Sequence, residues 1–394
     1  MRDILLLGAN RTPIGGMAGS LNGASAVDLG VATANETFER TGATPDQMDE
    51  VIFGNVLQAG QGQNPARQIS IGTGVPESVS SFTVNKVCGS GMKAVELAWQ
   101  SIALNRADSI LAGGTENMSQ APYLLPSMRG GARLGDVQAV DSLVSDGLTD
   151  IFNNYHMGIT AENVAEKFGL TREDQDAFAL SSQTKCAAAV DAGKFESELV
   201  SVTVKQRRKE IVVDQDEHPK PDSTLESLGK LRAAFKKDGT VTAANASGIN
   251  DGASSMLVVA EDTLADNMNA RDAVYLRDVR SSGCSPATMG LGPISSVKKL
   301  LDHSGLSVDD IDVWELNEAF AAQSLAVVKE LGMDVEKVNV NGGAIALGHP
   351  IGCSGARIVT TLIHELKRRG GRYGIAAMCI GGGQGIGCLI ENKQ

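Results

Sequence analysis

Three stretches of this chain recur at a nearly fixed spacing, and that recurrence restricts the possible folds. Gly42-Ala43-Thr44-Pro45-Asp46-Gln47-Met48-Asp49 has a counterpart in Gly305-Leu306-Ser307-Val308-Asp309-Asp310-Ile311-Asp312, an offset of 263. Ser90-Gly91-Met92-Lys93-Ala94-Val95 matches Ser354-Gly355-Ala356-Arg357-Ile358-Val359 at an offset of 264. Asp108-Ser109-Ile110-Leu111-Ala112-Gly113-Gly114 answers the stretch from Gly374 to Gly382. Small-residue strand–turn–helix junctions look alike in any α/β protein, but a nearly constant offset across three of them points to a duplicated βα unit. Two such halves packed face to face would bring equivalent loops to one central cleft.

The chain has room for this. Its 394 residues are enough for two or three cores, and 42% of them are hydrophobic. Forty-five glycines against 11 prolines indicate tight turns and close backbone approach. A net charge of −12 with 4% aromatic residues argues against a nucleic-acid surface. No apolar run is long enough to span a bilayer, and the first residues read as a strand rather than a signal peptide. Six cysteines without CxxC spacing suggest neither a zinc site nor a disulfide framework. A cytoplasmic protein with reduced thiols and no bound metal is expected.

In chain order, residues 4–8 read as a strand, Arg11 to Gly16 as a loop, Val27–Arg40 as an amphipathic helix and Glu50–Phe53 as a strand. After Gly113-Gly114-Thr115-Glu116-Asn117 the first half is interrupted until the strand near Ser255–Val259, whereas the second half runs directly from Gly381-Gly382-Gly383 into Ile386–Ile390. The expected division is 1–118 with 250–270, an inserted lobe at 119–249, and 271–394. Within the lobe, Thr171 to Asp174 carries a capping-box signal for a helix ending near Gly193. Val200–Val204 and Ile211–Val213 read as a hairpin tipped by Arg207-Arg208-Lys209, most simply a solvated charge cluster.

Chemistry centres on Val84-Asn85-Lys86-Val87-Cys88-Gly89-Ser90-Gly91, a strand end, a turn and a helix start. A cysteine there sits at the positive end of a helix dipole, which favours the thiolate. The dipole is worth about 0.3–1 kcal/mol, so it lowers a thiol by about one pKa unit at most. A nucleophile would also need a base; the alternative is that Cys88 is simply a small buried hydrophobe. Of five histidines, His218 and His303 sit in polar settings that suggest exposure, and packing on a helix explains His364. His156 could line a site. His349 lies in the glycine-dense loop from Asn339 to Gly355, which the repeat places opposite Cys88, where it could take the thiol proton. Cys379 ends a strand at the same cleft, and the glycines after it leave N–H groups free for an oxyanion. Asn317 precedes a helix and could be its N-cap or part of the site.

Cys88-Gly89-Ser90-Gly91, Asn317-Glu318-Ala319-Phe320, Gly348-His349-Pro350-Ile351-Gly352 and Cys379-Ile380-Gly381-Gly382-Gly383-Gln384-Gly385 resemble, in this order, the four signature blocks of the thiolases. The similarity runs essentially from Arg11 to Gly387. His156 to Asn163 and Asn245 to Asp251 resemble the short-chain biosynthetic subgroup, the acetyl-CoA acetyltransferases. The resemblance implies an α/β fold in which two βαβαβαββ halves form a five-layer αβαβα core, with the inserted loop domain binding coenzyme A. It implies that Cys88 receives the acetyl group, His349 activates it and Cys379 removes the α-proton of a second acetyl-CoA. One oxyanion site would use His349 and a water held by Asn317, the other the N–H groups of Cys88 and Gly381. Carried over by position, the substrate contacts are Leu148, His156, Met157, Ser227, Leu231, Phe235, Ser247 and Phe320, with Met157 and Met289 crowding the acyl pocket. No cofactor is implied beyond the coenzyme A thioester itself. Family members form homodimers or homotetramers, with tetramer contacts sought at 120–145.

The nearest rival is a degradative 3-ketoacyl-CoA thiolase with the same residues and a wider pocket. A non-catalytic lipid-carrier relative would not need all of Cys88, Asn317, His349 and Cys379. A condensing enzyme of fatty-acid synthesis would be expected to carry a histidine where Cys379 stands. Cys353, Ala244 and Asn10 depart from the usual family residues, none in an assigned catalytic role.

Overall fold

The computed structural model describes residues 2–206 and 209–393. The first half consists of β1 (Ile4–Arg11), α1 (Ala26–Thr41), β2 (Glu50–Gly54), α2 (Pro65–Gly72), β3 (Ser80–Val84), α3 (Ser90–Ala103) and β4 (Ser109–Asn117). The insertion holds α4 (Met157–Phe168), α5 (Arg172–Asp191) and the hairpin β5 (Val202–Gln206) with β6 (Lys209–Val213), and β7 (Asn250–Ala260) returns to the first half. The second half consists of β8 (Val274–Gly283), α6 (Gly292–Ser304), β9 (Val313–Leu316), α7 (Ala321–Leu331), α8 (Ile351–Arg369), β10 (Tyr373–Ile380) and β11 (Gln384–Glu391).

The strands stand in the order β3-β2-β4-β7-β1-β8-β11-β10-β9, so the sheet order of one half mirrors that of the other. The mirror centre is the short antiparallel contact of β1 with β8, Leu5 to Tyr275 and Leu6 to Val274. The counterpart of β3 shrinks to a single parallel bridge between Trp314 and Val338. Asn339 explains the loss: its side chain donates to the Leu316 carbonyl and accepts from the Leu316 N–H, both at 2.8 Å, in place of further ladder bonds.

Helices α1 and α2 cover the outside of the first half, with Phe38 and Ile69 packed on Phe53, Leu111 and Leu257. Helices α6 and α7 cover the second, with Leu300 and Val327 packed on Trp314, Ile375 and Leu389. Between the two lie α3 and α8, whose Met92, Val95, Val359 and Leu362 share one core with Ile110, Val258, Met378 and Ile390. These are the five expected layers. The repeated helices touch each other through repeated glycines. A Cβ on Gly91 would lie 2.7 Å from Ala356 N, and one on Gly355 would lie 2.3 Å from Met92 N. Backbone against backbone at that range admits no side chain.

The helix predicted from Thr171 forms as α5, with the full capping box between Thr171 and Asp174. The insertion packs into both halves: Val202, Val204 and Val213 join Leu21 and Leu29, while Ala179 and Leu228 join Ala321 and Ile345. Its firmest polar tie corrects the loop expected from Arg11. The Arg11 N–H donates to the Glu198 carbonyl and its own carbonyl accepts from Val200 N, each at 2.8 Å, and β1 extends through Arg11, which pairs with Ser254 of β7. The buried guanidinium binds Glu198 at 2.6 Å and Asp216 at 2.7 Å. At the hairpin tip Arg207 and Arg208 lie outside the described residues, and Lys209 is exposed. No helix among the described residues is long and apolar enough to cross a membrane.

Candidate active site

The turn between β3 and α3 is closed by local bonds. Lys86 N donates to Ser90 Oγ at 2.8 Å, and Ser90 Oγ donates to the Val87 carbonyl at 2.6 Å. Gly89 N donates to the Lys86 carbonyl at 3.1 Å. Cys88 emerges from this turn buried, in the central core that also holds Ile351. The neighbouring glycine brings the second half close: a Cβ on Gly89 would lie 2.5 Å from Ile380, the residue after Cys379. The thiol stays protonated, as the small size of the dipole effect leads one to expect. Burial pushes the Cys88 thiol up, and this outweighs the amides of Gly381 and of Cys88 itself, which favour the thiolate. Burial, with Cys88 as a smaller contributor, holds the Cys379 thiol well above its ordinary range. Both sulfurs therefore rest protonated at neutral pH, which makes a base indispensable.

His349 holds the tautomer that such a base requires. Ser354 Oγ donates to the Pro350 carbonyl at 2.9 Å and so accepts from His349 Nδ1 at 2.6 Å. That leaves Nε2 as the unprotonated nitrogen, 3.4 Å from Asn317 Nδ2. Burial, aided by the charge of Arg357, lowers the imidazole to about 3, so it stands neutral with a lone pair on Nε2. Its backbone is fixed as well, with His349 N donating to Asn250 Oδ1 at 2.9 Å.

Asn317 is not a helix cap, since α7 begins at Ala321 with Phe320 at the N-cap. The Asn317 N–H instead extends the β10 pairing by donating to the Ala377 carbonyl at 3.0 Å, which delivers the side chain to His349. Its Oδ1 is buried with no hydrogen-bond partner among the described residues.

An apolar cluster of Met157, Met289, Phe320 and Cys379, with Val87 and Phe235 packed against it, forms the next wall. A Cβ on Gly381 would lie 2.3 Å from the Met157 methyl, so this glycine lets Met157 sit directly on the loop after Cys379. His156 caps α4, its Nδ1 accepting from Gly158 N at 3.0 Å, and burial lowers its pKa. Its ring stacks on Phe235 at 4.6 Å, and Phe235 meets Phe320 edge-on at 6.3 Å. Ser247 N donates to the Ala319 carbonyl at 3.0 Å, beside Phe320. Leu148 packs on the core that holds Cys88. Ser227 and Leu231 are exposed, on and just after the helical turn Leu225–Gly229, and neither belongs to this cluster.

The remaining histidines divide as follows. His303 is exposed, but His218 is half-buried, its ring held close to Gly248, against the exposure expected of it. His364 does more than pack, bonding the Ala9 carbonyl at 2.9 Å and Ser197 Oγ at 3.1 Å.

Sequence reasoning assigned no role to Ser354, Asn250 or Glu116. The buried Glu116 carboxylate accepts from Val56 N, Leu57 N, Asn55 Nδ2 and Gly352 N at 2.9–3.1 Å, tying the first half to the start of α8. Ser354 stands in the repeat beside Ser90, and that alignment was the signal available for it.

The family description "Thiolase, N-terminal domain" matches residues 4–262, and "Thiolase, C-terminal domain" matches residues 270–392. The chain belongs to the thiolase family. This thiolase is 52% identical over 394 residues to an acetyl-CoA acetyltransferase of Pseudomonas aeruginosa, covering 99% of each chain. It is 53% identical to a probable acetyl-CoA acyltransferase of Staphylococcus aureus, over 100% of both. Among solved structures, the acetyl-CoA acetyltransferase of Syntrophomonas wolfei superposes with a TM-score of 0.97 at 41% identity, over 100% of both chains.

Proposed function

We propose that this thiolase is an acetyl-CoA acetyltransferase that interconverts two acetyl-CoA with acetoacetyl-CoA and free coenzyme A. The observation that carries this reading is His349 with Nε2 3.4 Å from Asn317 Nδ2, together with Cys88 beside the Gly381 amide and Cys379 in a methionine-lined wall. Full-length relatives named for the same activity support it.

In the first half-reaction Nε2 of His349 takes the Cys88 proton as the sulfur attacks the thioester carbonyl. The bond from carbon to coenzyme A sulfur breaks, and the coenzyme leaves as a thiol with the proton of Cys379, while His349 keeps the Cys88 proton on Nε2. In the second, the Cys379 thiolate so formed removes the α-proton of another acetyl-CoA. The resulting enolate attacks the acetyl carbon on Cys88; a C–C bond forms, the bond to Cys88 breaks, and the Cys88 sulfur recovers its proton from His349 Nε2. Neither the tetrahedral oxyanion nor the enolate is stable alone, so donors must already be in place. In this reading the Cys88 and Gly381 amides serve one oxyanion, and His349 with a water on Asn317 the other, each donor being worth about 3–4 kcal/mol. The chemistry calls on no cofactor beyond the thioester substrate.

Coenzyme A would lie along Leu148, His156, Ser227, Leu231, Phe235 and Ser247, and Met157, Met289 and Phe320 would limit the acyl chain. The assembly is a homodimer or homotetramer and the location cytoplasmic, in fatty-acid metabolism. Steady-state rates on acetoacetyl-CoA and on a C8 3-ketoacyl-CoA test the assignment. The short substrate is expected to be faster; a preference of about tenfold or more for the long one overturns it in favour of the degradative reading.

A further inference from the structure

Seven described residues other than glycine have a left-handed backbone: Ala18, Asn64, Val87, Asn105, Asn154, Asp238 and Asn339. Five of them are Asn or Asp, which tolerate that region. Val87, at φ +47°, is β-branched, and it immediately precedes Cys88. The repeat supplies an internal control. Its counterpart at an offset of 264 is Ile351, already the first residue of a regular helix behind Pro350 at φ −66°. The departure therefore belongs to the half that carries the nucleophile and not to the repeated unit.

Three sets of contacts hold Val87 there. Its N–H donates to Asn85 Oδ1 at 2.9 Å. Its carbonyl accepts from Ser90 N at 3.1 Å and from Ser90 Oγ at 2.6 Å. Its isopropyl group packs against the cluster of Met157, Met289, Phe320 and Cys379, and a Cβ on Gly381 would lie 3.1 Å from its Cγ1. Glycine or asparagine would relax the backbone, yet neither offers an apolar wedge.

We propose that Val87 is a positioning residue for Cys88 and a wall of the acyl pocket. Its branched side chain is kept at a left-handed position because it wedges the nucleophile turn against Gly381. This rests on the acetyl-transfer reading above, and the experiment separates the two.

Val87→Gly, Val87→Ala and Val87→Thr are compared with the parent in the full-length enzyme. Gly and Ala delete the same wedge and differ by one Cβ, so a strained backbone makes Val87→Gly melt higher than Val87→Ala; at an ordinary backbone position the order reverses. Both are expected to lower kcat on acetoacetyl-CoA by about tenfold or more with little change in KM. Both should also raise relative kcat/KM on 3-ketohexanoyl-CoA by about fivefold or more. Val87→Thr, branched but with a hydroxyl in place of a methyl, is expected to lose less kcat than Val87→Gly or Val87→Ala. Val87→Ala melting above Val87→Gly, or parental kcat and profile in both, overturns the proposal. Labelling of the parent with radioactive acetyl-CoA is read separately: no label on Cys88 sinks the acetyl-transfer reading, while the melting order still judges the backbone claim.

Discussion

Helices α3 and α8 are repeats of one element, pack on each other at the centre of the molecule, and are entered in opposite ways. The chain reaches α3 through a turn with Val87 left-handed and Cys88 held in the turn before the helix. It reaches α8 through Gly348-His349-Pro350, with the helix regular from Ile351. The equivalent serines show how one device was adapted twice. Ser90 Oγ bonds Lys86 N and the Val87 carbonyl, bracing the turn of the nucleophile. Ser354 Oγ bonds the Pro350 carbonyl and His349 Nδ1, fixing the tautomer of the imidazole. Duplication thus supplied two matching helix starts facing one cleft, and divergence gave a sulfur to one and an imidazole to the other.

The comparison is tested most severely through the residue beside the imidazole. Asn317→Ala removes the donor to His349 Nε2 and is expected to cost about 10²–10³ in kcat. Rates within a factor of about three of the parent would mean that the second half supplies a base without an oxyanion site.

The contact between the repeats gives the next effect. Gly355→Ala forces a Cβ to 2.3 Å from Met92 N, so one helix must shift. A loss of about 1–3 kcal/mol in urea unfolding is expected, with activity falling as the two helix starts move apart. Unchanged stability would show the packing to be looser than described.

The smallest effect is electrostatic. With His349 lowered to about 3 in the folded protein and near 6.5 unfolded, its contribution to stability is complete above about pH 6.5 and is lost as the pH falls toward 3, because the unfolded chain takes up the proton first. Between pH 7 and pH 5 the parent's urea midpoint should therefore fall more than that of His349→Asn. Parallel pH curves would mean that the imidazole is not held neutral by burial.

Much of this was legible in the sequence, for identifiable reasons. The repeat and the interruption after Asn117 follow from spacing, the layered core from the family resemblance, and the Thr171 cap from local chemistry. What was missed depends on contacts distant in sequence. Arg11 continues a strand because Ser254 of β7 pairs with it, with a further bridge to Leu199. Asn317 stood open between a cap and the site, and the cap falls because Phe320 takes that place and Asn317 extends a strand pairing. The dipole at Cys88 was readable, whereas the burial that outweighs it requires both halves to be assembled. Position, more than residue type, gave His349 its assignment. Its tautomer could be read only once Ser354 was seen beneath it.

The central claim is that acyl transfer passes through the sulfur of the first half. Brief incubation with radioactive acetyl-CoA, acid quench, proteolysis and mass spectrometry test it directly. Acetyl on the peptide carrying Cys88, discharged by added coenzyme A, is the result expected. Label on the Cys379 peptide alone, or turnover with no acetylated Cys88, would contradict it.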